Sequence, residues 1–199
     1  MRNKPRTFLW AGLFAGVTSA VVGRVFPAVL TVGVGLLFFV AVVASTTLTS
    51  ALRQPGRDTW RYAAAASICT VGYIMVLLVF NVTIGYSQGS FSITQSDDIV
   101  QFGADIWLGL IASGIVASVG VAFVGSILTG RWSTSFVARL IGAALITIAF
   151  TNLVNVRFHQ YWSFIGVLFA VGNALFCWLV GREIWKSHDE LPRENRKIN

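Results

Sequence analysis

The chain has 199 residues, 55% of them hydrophobic and 12% charged, with a mean hydropathy of +0.72 and a formal net charge of +7. Soluble domains carry about 25% charged residues, so this composition excludes an ordinary water-soluble fold and points to a multispanning membrane protein. The basic residues sit in short links between apolar runs instead of forming one patch, which excludes a nucleic-acid footprint.

A membrane-spanning helix needs about 20 largely apolar residues. At the N-terminus Arg2, Lys4 and Arg6 precede an apolar run from Phe8, and small residues follow at Thr18-Ser19-Ala20. This resembles a signal peptide, but the apolar character continues past Gly23, so the segment is read as a retained span. The first span is expected at residues 7–24 and the second at 27–52, divided by Gly23-Arg24-Val25-Phe26-Pro27, where glycine and proline favour a tight turn. The third is expected at 61–84. A polar stretch from Ser87 to Gln101, with Asp97 and Asp98, is the longest segment outside the apolar runs. It leaves no room for a second domain.

The fourth span is expected at 102–128, ending before Thr129-Gly130-Arg131, and the fifth at 135–156. A link of Arg157-Phe158-His159-Gln160 leads to the sixth, at 161–185. The charged tail, 186–199, is expected to fray or lie along the membrane surface. The fold class is therefore an all-α integral membrane protein, a bundle of six transmembrane helices joined by short loops.

Positively charged loops resist translocation. With both termini in the cytoplasm, 13 of the 15 Lys and Arg residues fall inside and only Arg24 and Arg157 outside. Trp10, Trp60, Trp132 and Trp185 then lie near inner boundaries and Trp107 and Trp162 near outer ones, where amphipathic rings are favoured. Trp178 lies deeper.

Helices in lipid approach closely where small residues let backbones touch. Gly12 and Gly16 form a G-x-x-x-G in the first span. In the fourth, Gly109, Ser113 and Ala117 make one small-residue stripe and Gly114, Ser118 and Ala122 another, which gives that span two packing faces and a central place. Tyr73 and Asn173 are the polar residues nearest mid-bilayer, with Cys69 and Cys177 one turn further inward. If the third and sixth spans touch, these residues form two rungs. The matches Thr18/Thr151, Arg24/Arg157 and Gly33/Gly166, at constant offset, are a weak parallel repeat.

Motifs for intramembrane hydrolysis, haem ligation or zinc binding are missing from the sequence, and no ionisable residue lies at the centre of a span. No enzymatic activity, cofactor or metal is therefore expected. The densest polar set is at the outer face: Arg24, Asp97, Asp98, Asp105, Asn152, Asn155, Arg157 and His159, with Asn81 and Gln160 beside them. It is a candidate vestibule in which the two arginines bind an anion or pair with the aspartates; ordinary interfacial anchoring is the plainer reading. The expected function is a transport or channel component for a small solute, multi-pass in the cell membrane and oligomeric. The alternative is a noncatalytic scaffold or assembly subunit that binds another membrane protein or lipid. Expected partners are membrane lipids, a second copy or a membrane protein, and not nucleic acid.

Overall fold

The apolar runs fold as helices because no water is present in a bilayer core to satisfy a free backbone N–H or C=O. A computed structural model describes residues 4–25, 59–86, 104–158 and 161–195. They form five helices: α1 (Lys4–Val25), α2 (Thr59–Tyr86), α3 (Ala104–Thr129), α4 (Thr134–Phe158) and α5 (Tyr161–Asn195). The expected second span, at 27–52, lies outside the described residues.

Three helices carry apolar windows long enough to cross a membrane, Trp107–Thr129 in α3, Thr134–Val154 in α4 and Gly166–Lys186 in α5. These windows mark the chain as a membrane protein. A shorter apolar stretch, Ala63–Val76, lies in α2.

The largest departure from the expected boundaries is at the C-terminus. The tail does not fray after residue 185; α5 runs for 35 residues, to Asn195. At 1.5 Å per residue that is about 52 Å, against a hydrocarbon core of about 30 Å, so its last turns must project beyond a bilayer. Lys186, Glu190 and Leu191 are good helix formers, which hydropathy does not register.

The turn between α3 and α4 is built as its sequence suggests. Gly130 adopts a φ of +72°, and its N–H donates to the Ser126 carbonyl at 2.7 Å. A glycine in this left-handed conformation is a common helix stop. Ser133 then caps α4, its Oγ accepting from the Phe136 N–H at 3.3 Å.

α3 packs against α2, α4 and α5, which gives it the central place expected of the fourth span. Its two small-residue faces serve different neighbours. On one, the Ser113 hydroxyl donates to the Val76 carbonyl of α2 at 3.3 Å, and Gly120 lies opposite Gly72. On the other, a Cβ at Gly114 would sit 3.3 Å from Ala144 and Ile148 of α4, and one at Gly125 would strike the Phe136 ring.

α1 packs on α5, antiparallel and backbone to backbone. Gly12 faces the Asn173 carbonyl and Cys177, Gly16 faces the Phe169 carbonyl and Ala170, and Phe8 covers Gly181. A Cβ at Gly16 would lie 2.6 Å from the Ala170 Cα, and one at Gly12 2.7 Å from the Cys177 Cβ, both too close for any side chain. The glycine hydrogens that take the place of a Cβ instead point at the carbonyls, an arrangement that gives weak C–H···O bonds. The G-x-x-x-G is thus a packing motif. Residues from all five helices share one buried core, in which Leu140, Val124, Val180 and Cys177 are almost fully enclosed.

Candidate functional site

Antiparallel packing sorts the polar residues into three levels along the bundle. At one end the backbone brings together the C-terminus of α1 with Arg24, the start of α3 with Asp105, and the last turns of α4 with Asn152, Asn155 and Arg157. The Asn152 side chain is half-buried. Asp97, Asp98 and His159 lie outside the described residues. These helix ends, with the C-terminus of α2, lie at one end of the bundle.

At the middle level the buried polar groups turn to the backbone and not to one another. Thr147 donates to the Ala143 carbonyl at 2.8 Å, Thr151 to Thr147 at 2.6 Å, Ser118 to Gly114 at 2.7 Å and Ser19 to Ala15 at 2.7 Å. Each closes a bond to the preceding turn of its own helix, which removes the penalty for burying a free hydroxyl.

The expected Tyr73–Asn173 rung does not form. Asn173 is buried, and its Nδ2 donates to the Phe169 carbonyl of its own helix at 3.0 Å. Among the described residues α2 and α5 bring no Cα pair within 8 Å. The reason is steric: α1 occupies the face of α5 at Asn173, through Gly12, while α2 lies on α3 through Gly72 and Gly120. Tyr73 stays half-buried on α2. The cysteine rung is partly realised, since Cys69 packs against the core that holds Cys177. Their Cα atoms are nevertheless beyond the roughly 6.8 Å limit of a disulfide.

Toward the opposite end Leu140 and Ala143 of α4 and Cys177 and Val180 of α5 are buried in the shared core, none above 7% exposed, and form an apolar plug. Beyond this plug lies a charged pair, the Arg139 Nη1 standing 3.7 Å from the Glu183 Oε2. Arg139 also donates to the Ser135 carbonyl and Oγ, each at 3.1 Å. The Glu183 side chain is 14% exposed, and its Oε2 is buried without a hydrogen bond among the described residues. A carboxylate in that position depends on Arg139 for its compensation.

Glu183 passes unmarked in the sequence because it stands two residues from the end of an expected span, where a charge looks like loop solvation. The signal that finds it is depth: Arg139 near the start of one apolar window and Glu183 near the end of the next meet when the helices run antiparallel. Among the described residues no group of three His, Cys, Asp or Glu side chains is placed to hold a metal ion. No family model, curated protein or solved structure matches this chain.

Proposed function

We propose that the chain is a six-span membrane protein with both termini in the cytoplasm, acting as a noncatalytic scaffold or assembly subunit that binds another membrane protein. The observation that carries this reading is the apolar plug of Leu140, Ala143, Cys177 and Val180, buried in the core that the described helices share. Among the described residues Thr147, Thr151 and Asn173 donate to carbonyls of their own helices, which supports a bundle without a row of free donors to replace a solute's hydration. Packing also supports α1 as a span, since it lies along the apolar window of α5 from Gly181 to Gly166.

Partner binding would use the exposed apolar stripe of α3, Leu108, Ile111, Ile115, Val119 and Phe123, which faces away from the bundle. Copurification of the intact chain in mild detergent tests this. A membrane-protein partner at fixed stoichiometry, lost in Ile115→Trp, is expected; a chain that purifies alone contradicts it. Topology is tested in a Cys69→Ala/Cys177→Ala background carrying single cysteines within residues 87–96, which should label from outside. Labelling near Gln54 instead would reverse the orientation.

A transport role for a small solute in the cell membrane is the second reading. It is favoured by the polar residues Thr147, Thr151 and Asn173, which continue the line of Asn152 to the middle of the bundle. In that case the plug is a closed gate.

A further inference from the structure

The seam between α4 and α5 is fastened differently at its two ends. Only two residues separate Phe158 from Tyr161 in the chain, so at that end the helix termini can stand no more than about 11 Å apart. From there Thr151, Thr147, Ala143 and Arg139 recur every fourth residue and so lie on one face of α4. That face is turned to α5 at two points, Thr147 toward Gly172 and Arg139 toward Glu183. Between and beyond them Ala143 and Thr151 are buried.

Along this face the contact is one of packing, because both threonine hydroxyls donate to carbonyls of their own helix. At Arg139, about 28 Å along α4 from Phe158, charge takes over. The Arg139 Nη1 and the Glu183 Oε2 stand 3.7 Å apart, a Coulombic contact longer than a hydrogen bond. The Arg139 Nε and Nη2 donate to Ser135 of the same helix. Arg139 therefore keeps polar partners if α5 moves away, whereas the Glu183 Oε2, buried without a hydrogen bond, gains water. α5 does not move alone, because Gly12 and Gly16 bring α1 against it backbone to backbone.

We propose that the Arg139–Glu183 pair is a latch on a hinged seam. When the pair parts, α1 and α5 swing together from α4 about the short link between Phe158 and Tyr161, and the α4 face opens from the Arg139 end. Local openings of this kind occur where few contacts oppose them. The swing requires only the packing of the described helices, so it stands or falls separately from the scaffold reading, which copurification tests.

The test follows a single buried thiol on that face of α4 in the full chain, held in nanodiscs. In a Cys69→Ala/Cys177→Ala background, Ala143→Cys reports on the latched end and Thr151→Cys on the linked end. Each is read as the rate of modification by a charged methanethiosulfonate, with mass spectrometry of the intact chain. Adding Glu183→Gln should speed modification at position 143 about tenfold and leave that at position 151 within about twofold. Exchanging the charges, Arg139→Glu/Glu183→Arg, should return the rate at position 143 to within about threefold of the unaltered pair. An unchanged rate at position 143 in Glu183→Gln overturns the latch. Equal acceleration at both positions also overturns it, since that marks a loosened or misfolded bundle, as does an exchanged pair that leaves the reaction fast.

Discussion

Helix α5 is held on two sides by different physics. Its seam with α1 is a close contact in which Gly12 and Gly16 bring backbone to backbone and Gly181 makes room for the Phe8 ring. Its seam with α4 is a contact of side chains, with Thr147 beside Gly172, an apolar plug, and the Arg139–Glu183 pair at one end. The first depends on shape, because lipid offers no hydrophobic drive and close approach must supply the attraction. The second tolerates polar groups because each hydroxyl carries its own backbone acceptor.

The contrast makes the α1–α5 seam the more fragile. Gly16→Leu should cost about 3 kcal/mol or more, or prevent assembly, since its Cβ alone would overlap Ala170. Unfolding in mixed micelles measures this, and a loss below about 1 kcal/mol would mean the helices part easily. Arg139→Ala should cost about 2 kcal/mol by leaving the Glu183 carboxylate without its cation. Glu183→Gln in the same background should recover part of that loss; no recovery would show that the pair does not couple the helices.

Gly130→Ala should cost about 1 kcal/mol, because its φ of +72° is unfavourable for any residue with a Cβ. The smallest effect is expected at Thr147→Val, under about 1 kcal/mol, because the lost hydroxyl bond lies within α4 and leaves no unmatched donor. A large loss there would reveal a second partner for Thr147 across the seam.

The sequence made the helices legible because lipid leaves the backbone few alternatives, and it made the α3–α4 turn legible because Thr129-Gly130-Arg131 halts an apolar run. The end of α5 was hidden, since hydropathy stops at Trp185 while helix propensity continues to Asn195. Tyr73 and Asn173 show another limit. Hydropathy gives depth in the membrane but not direction around the helix axis, so equal depth does not decide whether two spans touch. Of the candidate vestibule, the sequence gathered Arg24, Asp105, Asn155 and Arg157 at one end of the helices. It did not bring out the Arg139–Glu183 pair at the other, because each charge resembled the flank of a span.

The most direct test of a sealed, scaffold-like bundle is solute flux through proteoliposomes of the intact chain, followed by light scattering after an osmotic step with small neutral solutes. Shrinkage and recovery should match protein-free vesicles, and Val180→Gly, which thins the plug, should raise the flux only slightly. Rapid recovery with the unaltered chain, abolished by Ala143→Trp, would contradict the account and make the α4–α5 seam a conduit.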